Sequence, residues 1–491
     1  MARFSSTVFL AMMTVGALAG CGGGSGGGTQ TTSPQSTLVT VLSTSTGNDQ
    51  LTRFNLVVNS LTLTGASGAS ATIISTPLQI ESIHVNGISE PLLTVGVPPG
   101  IYTSATASIG GSDFTCVSLN GQGALSLADF AYQDSIPASQ VMVDLPAPIT
   151  ISGGSMGLLF NLLVSKSASW TTCDPTPNAP FSITPTFNLT SFPLSGSPTN
   201  TQNGLETGLK GIVTSVETST SFSVMADDGH SCAATAQGCA LPKGPTWQIT
   251  SNGATAFQGI AGQSELIAGM PVDMDAALQP DGSLLAKRVS VYDTGAENLT
   301  TIEGPLTYQS ANYPYFNEAA VDELGPLNVT PVSGNSSSAV FHISGAFTNL
   351  ADLPFTPAFG PTSVADGQNI YATTHALFVA AAPTYAPASS LTLLPQTING
   401  TVKSISSDSG FSTYTITLAP YDLFPELAVQ GGQRTAVTNP NTVVVYADSN
   451  TQQLNTNPIA VGSVVRFYGL VFNDNGTLRM DCAQINDGVP E

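Results

Sequence analysis

Charge is scarce in this chain of 491 residues, and positive charge most of all. Only 9% of residues are Asp, Glu, Lys or Arg, and 11 cations stand against 32 acids, a net charge of −21. That balance excludes nucleic acid as a partner, because a phosphate backbone is held by a cationic face. The acids are dispersed rather than blocked, which reads as a solubilising surface. Long apolar runs are missing too. The apolar segment at residues 4–19 has 16 residues, short of the ~20 that a spanning helix needs. A phosphate-cradling glycine loop is also absent, since the only glycine run is a linker at residues 22–28. What remains is 41% hydrophobic, with aromatic and β-branched residues throughout, so the composition is not that of a disordered chain. The length suits several domains.

The chain opens Met1-Ala2-Arg3, continues with the apolar segment, and reaches Leu18-Ala19-Gly20-Cys21. A cation, a short apolar run and small residues before a cut are the parts of a secretory signal. With cysteine directly after Leu-Ala-Gly, it resembles the bacterial lipoprotein signal. That resemblance implies cleavage between Gly20 and Cys21, acylation of the Cys21 thiol, and a chain held outside the cytoplasm on the lipid bilayer. An uncleaved anchor would leave the same topology. Gly22 after the cysteine favours, by the same resemblance, the outer membrane or cell surface. Residues 22–36 are Gly-, Ser- and Thr-rich, a flexible tether with a reach of about 20 Å.

Of six cysteines, five remain once Cys21 is assigned to lipid. In an oxidising compartment, proximity and domain membership pair Cys116 with Cys173 and Cys232 with Cys239, leaving Cys482 buried and free.

From residue 37 to 197, short period-two runs follow one another: Phe54, Leu56 and Val58, then Leu61 and Leu63, Leu78 and Ile80, and Val141, Val143 and Leu145. Separated by Gly, Pro and Asn, they predict an antiparallel β-sandwich. Pro98-Pro99-Gly100-Ile101-Tyr102 resembles the turn-into-strand of transthyretin-like and carboxypeptidase-regulatory-like sandwiches, with the tyrosine packed inward and its hydroxyl at the edge. Together with the segments at 149–162 and 183–187, it is similar to an uncharacterised sandwich family of envelope lipoproteins. The resemblance implies a fold and no activity.

The remainder repeats. Gly211-Ile-Val-Thr-Ser-Val216 returns as Gly400-Thr-Val-Lys-Ser-Ile405 and, more weakly, as Gly304-Pro-Leu-Thr-Tyr-Gln309. Ala268-Gly269-Met-Pro-Val272-Asp-Met274 matches Val461-Gly462-Ser-Val-Val465-Arg-Phe467, with Asp366-Gly367-Gln-Asn-Ile370-Tyr-Ala372 as a looser third. Hairpin turns follow at residues 280–283 and 473–476, where Asp-Gly and Asn-Gly supply positive φ. A period of about 95 residues makes each copy a domain with its own core. Five or so strands per copy fit a small closed barrel, and short helices are expected at 264–268 and 421–429. The block resembles a second uncharacterised family, of small OB-like modules from secreted bacterial proteins.

Five constellations could carry chemistry. Gly153-Gly154-Ser155-Met156-Gly157 matches a nucleophile elbow, but a strand follows it instead of a helix, so it reads as a turn. His230, Cys232 and Cys239 could ligate zinc, yet the six-residue gap suits a disulfide. Asp273 and Asp275 share a strand face as a glycosidase pair would. Their counterparts Arg466 and Tyr468 make that face a variable, solvated one. The Asn- and Asp-rich turns at 281–282 and 473–476 lack the spacing of a calcium loop. Tyr313, Tyr315, Phe316, Phe341, Phe347, Phe355 and Tyr371 enrich the middle copy in aromatics, read as core before sugar-stacking surface.

The expectation is therefore an all-β chain: signal (1–20), lipidated tether (21–36), N-terminal antiparallel β-sandwich (37–197) and three related OB-like small β-barrels (205–296, 300–395, 396–488). The expected role is a non-catalytic binding and scaffold protein of the bacterial envelope, lipid-anchored, with an envelope protein or polysaccharide as partner. No cofactor or metal is expected. A polysaccharide-active enzyme and a passive spacer are the competing readings.

Overall fold

A computed structural model describes residues 36–46, 51–110, 112–116, 132–136, 138–167, 184–226, 244–291, 300–309, 315–320, 330–335, 340–345, 349–374, 386–419, 422 and 437–489. The described elements are strands, apart from one four-residue helix and two 3₁₀ turns.

The first twelve strands form one sheet folded around a single core. They are β1 (Thr37–Ser45), β2 (Leu51–Gly65), β3 (Ser70–Ile74), β4 (Leu78–Glu81), β5 (Ser89–Val97), β6 (Gly100–Ile109), β7 (Ser112–Cys116), β8 (Tyr132–Ile136), β9 (Ser139–Asp144), β10 (Ile149–Ile151), β11 (Ser155–Leu162) and β12 (Phe187–Pro193). The spatial order is β5-β1-β11-β12-β9-β6-β2-β7-β8, with β3 and β4 on β2 and β10 on β6. Pairing is antiparallel except at β1–β11 and β12–β9.

Strand β2 shows how the sequence fixes the sheet. Its apolar phase switches from even (Phe54, Leu56, Val58) to odd (Leu61, Leu63), yet all five are buried in the same core. A one-residue slip would turn Leu61 and Leu63 outward. The register with β6 shifts between Val58 and Ser60, and that bulge restores the inward face. Tyr102 packs inward as expected, and its hydroxyl donates to the Pro98 carbonyl at 3.0 Å.

Three six-stranded sheets follow with one connectivity. The first contains β13 (Leu205–Thr218), β14 (Ser221–Ala226), β15 (Thr246–Thr250), β16 (Ala256–Gln258), β17 (Pro271–Leu278) and β18 (Leu284–Val291). Strands β15-β14-β13-β17-β18 run side by side, and a parallel pairing of β15 with β18 closes the ring. The other copies repeat this order with β19 (Thr300–Gln309), β20 (Tyr315–Ala320), β21 (Thr330–Asn335), β22 (Val340–Ile343), β23 (Asn369–Thr374) and β24 (Ala386–Leu393), then with β25 (Gln396–Asp408), β26 (Phe411–Leu418), β27 (Thr442–Ala447), β28 (Gln452–Gln453), β29 (Val464–Asp474) and β30 (Thr477–Asp487). Each is a small five-stranded ring with one short extra strand, the OB-like barrel the repeat predicted.

The leading glycine of the repeat has a steric cause. A Cβ on Gly211 would run into the Met225 carbonyl, and one on Gly400 into the Thr417 carbonyl, so strand 1 crosses strand 2 too closely for a side chain. The helix expected at 264–268 is only a 3₁₀ turn, Gln263–Glu265, because Leu266 turns extended. The one expected at 421–429 lies outside the described residues, apart from Asp422.

Candidate functional site

The modules meet at a junction far more polar than a hydrophobic core. Asp273 and Asp275 on β17 lie beside Arg288 on β18, where the register pairs Asp275 with Arg288 directly. The guanidinium grips Asp275 through Nε (2.7 Å) and Nη2 (3.0 Å), and Nη2 also reaches Asp273 at 3.2 Å. Ser344, from the second barrel, donates to the other Asp273 oxygen at 2.7 Å. The Gly208 amide donates to Asp275 at 3.1 Å. Every oxygen of the two carboxylates is therefore engaged.

This overturns the expectation of a solvated face: Asp273 is 0% exposed. The outward slots of β17 face neighbouring modules instead of water. Their counterparts in the third barrel do the same. Arg466 donates to the Ser45 carbonyl of the sandwich at 3.0 Å, and Tyr468 is buried with Val85 and Ile88. The copies differ at these slots because each meets a different surface.

Further buried titratable groups lie near the cluster. His84 is buried 3.9 Å from Glu90. Burial and the nearby Lys210 ammonium push its pKa down to about 3, against the opposing pull of Asp273. Burial pushes Glu206 up to about 7, although hydrogen bonds from Ser89 and the Gly204 amide favour its charged form. Among the described residues seven carboxylates are buried: Glu81, Glu90, Glu206, Asp273, Asp366, Asp422 and Asp481. The acids are thus only partly the solubilising surface expected of them. Charges this deep persist only when paired or hydrogen-bonded.

Above the Asp275–Arg288 pair lies a cleft of about 650 Å³ between the first and third barrels, within the range of small-ligand sites. One wall carries Ala256, Gln258 and Lys287; the other is the turn at 448–452. That turn is held by Asp448, which accepts from the amides of Asn450 (2.8 Å) and Thr451 (3.0 Å), while the Thr451 hydroxyl donates to the Cys482 carbonyl at 2.9 Å. Gln452 is 1% exposed; its Nε2 donates to the Gln202 carbonyl at 3.2 Å, and its Oε1 has no partner. A second cleft, about 540 Å³, lies between residues 356–363 and the turn at 473–476.

The other candidates resolve as follows. Gly20, Cys21, Cys173, His230, Cys232, Cys239, Tyr313 and Phe347 lie outside the described residues; for Cys116, Tyr315 and Phe316 only the strand backbone is described. Cys482 is buried and free, with burial and then the Asp481 carboxylate raising its pKa well above the usual thiol range. Gly153 and Gly154 form a bend that leads straight into β11, where Ser155 pairs with Leu38, so a strand and not a helix follows the serine. The segment at 473–476 is a hairpin turn, with φ of 51° at Asn475 and 92° at Gly476. In the turn at 280–283, Ser283 donates its amide and hydroxyl to Asp281. Tyr371 is buried, Phe341 packs edge-on against Phe359, and Phe355 packs against Tyr446 and Phe472. Tyr371 is thus core, and Phe341 and Phe355 are half-buried against core clusters. Among the described residues no three His, Cys, Asp or Glu side chains are placed to hold a metal ion.

Sequence reasoning missed the cleft because its walls are about 200 residues apart in the chain. One signal pointed at it: Asp273, Asp275 and Arg288 put three charges on two adjacent strands of a chain with 9% charged residues.

The fold and junction define a class: an all-β chain of one sandwich and three OB-like barrels, joined by buried polar contacts. Within it, residues 210–290 match a domain of unknown function, DUF5666. The matched segment runs from within β13 almost to the end of β18 and so coincides with the first barrel. No curated protein matches the chain.

Proposed function

We propose that the chain is a lipid-anchored, extracytoplasmic binding and scaffold protein of the bacterial envelope, acting without catalysis, and attached through Cys21 to the outer membrane or cell surface. The observation that carries the binding role is the interlocking of its modules. Gln484 of the third barrel donates to the Gly87 carbonyl of the sandwich (2.8 Å) and accepts from Thr207 at the start of the first barrel (3.0 Å). Trp247 of the first barrel donates to the Pro91 carbonyl of the sandwich at 2.7 Å. Clefts between modules held this way are preorganised, so binding costs little ordering entropy.

The enzyme reading needs an acid and a base. Asp275 and Asp448 both line the larger cleft, but Asp275 is taken up by Arg288 and Gly208, and Asp448 by the amides of its own turn. Both serve the architecture, which favours binding.

The test is fractionation followed by pull-down with the full chain. Cys21→Ser should release the protein from membranes, and wild type should retain one saturable envelope partner. Membrane association that persists in Cys21→Ser contradicts the anchor, and a folded chain that retains nothing contradicts the binding role in favour of a spacer.

A further inference from the structure

We infer that the cleft between the first and third barrels binds a neutral carbohydrate, recognised through adjacent hydroxyl groups; this rests on the binding reading above. The cleft's charged lining residues, Asp275, Asp448, Lys287 and Arg288, cancel formally. The carboxylate oxygens of both aspartates are spent on protein donors. A cationic ligand therefore finds no open carboxylate, and a polyanion meets the field of a chain with a net charge of −21.

The unspent groups are of both polarities and line the same cleft. Gln452 Oε1 is a buried acceptor without a partner. Gln258 Oε1 accepts from Ser290 Oγ at 2.7 Å, which leaves its NH₂ as a donor. Lys287 is exposed at the rim. A ligand that satisfies this set must present donors and acceptors together, to both walls. Each hydroxyl of a sugar is both. Pro198, Leu205, Ala256 and Ala483 add apolar surface to the same cleft, which suits the C–H face of a pyranose ring. A buried polar atom left unpaired is costly, so the empty acceptor at Gln452 favours a hydroxyl donor over an apolar ligand.

The experiment uses the full chain in a polyoxyethylene detergent, whose headgroup carries no sugar. Calorimetric titration is run with cellotetraose, maltotetraose, xylotetraose, mannotetraose and tetragalacturonic acid. Two cleft-filling variants at exposed positions on opposite walls, Ala256→Trp and Ser449→Trp, are titrated in parallel. The expected result is 1:1 binding of at least one neutral tetrasaccharide, insensitive to salt and weakened roughly tenfold or more by each variant. Binding that survives both variants overturns the site. Binding of the galacturonate alone, or of none at millimolar concentration, overturns the ligand class. If no sugar binds while an envelope protein is retained equally by wild type and both variants, the carbohydrate inference fails and the binding reading stands.

Discussion

Gln484 Nε2 and the Gly87 carbonyl oxygen meet at 2.8 Å across 397 residues of chain. Asn486 donates to the same oxygen at 2.7 Å, and Thr207 donates to Gln484 Oε1 at 3.0 Å. One side chain thus ties the last barrel to the sandwich and to the first barrel. Gln484→Leu removes a donor and an acceptor and leaves the buried Thr207 hydroxyl unsatisfied. It should cost about 1–3 kcal/mol, read as a lower midpoint in urea by far-UV circular dichroism. An unchanged midpoint would mean that the bond contributes nothing.

Arg288 neutralises two aspartates, one fully buried. Arg288→Met should destabilise by roughly 3–5 kcal/mol, because it strands Asp273 without its cation. Replacing Asp273, Asp275 and Arg288 together with apolar residues of similar volume should cost far less. Equal losses for the single and triple changes would argue against the ion-pair account.

The two shifted groups give a specific pH profile. Glu206 titrates at about 7 in the fold against 4.5 ordinarily, so its contribution is fullest below pH 4.5 and declines by roughly 3 kcal/mol as pH rises to 7. His84 titrates at about 3 against 6.5, so its contribution is fullest above pH 6.5 and falls by roughly 5 kcal/mol as pH drops to 3. Between pH 4.5 and 6.5 the slopes oppose, which predicts a flat region. Glu206→Gln should make stability rise steadily from pH 3 to 6.5, and His84→Gln should make it fall from pH 4.5 to 7. Denaturant titrations at each pH decide this; parallel profiles for both variants and wild type would refute it.

Gly211→Ala and Gly400→Ala should each cost about 1–3 kcal/mol, since the added methyl meets strand backbone that cannot yield. Gly253→Ala, with open space around its Cβ, should stay within ~0.5 kcal/mol. Thermal midpoints of the three variants provide the comparison.

Much of the fold was legible because strand alternation and turn chemistry are local. The period-two runs through Val58 and Leu63 announced strands, and Asn475-Gly476 announced its hairpin; the bulge that reconciles their phases is seen only in the pairing with β6. The recurrence of Gly211 at Gly400 announced a repeated domain, and the close strand crossing that requires both glycines is a finding of the structure. The site was less legible. Asp273 and Asp275 read as solvated because a sequence shows which side of a strand a residue takes, and says nothing of which module covers that side. Gln452 and Lys287, facing each other's barrels across one cleft, carry no pattern linking them.

The most direct test of the interlocked architecture is calorimetric unfolding of the full chain. Modules locked through Gln484, Trp247, Arg466 and the Asp273–Ser344 contact should melt in one transition whose calorimetric and van't Hoff enthalpies agree. Separate transitions for the sandwich and the barrels would contradict the account, because clefts between independently melting modules would not be held in place.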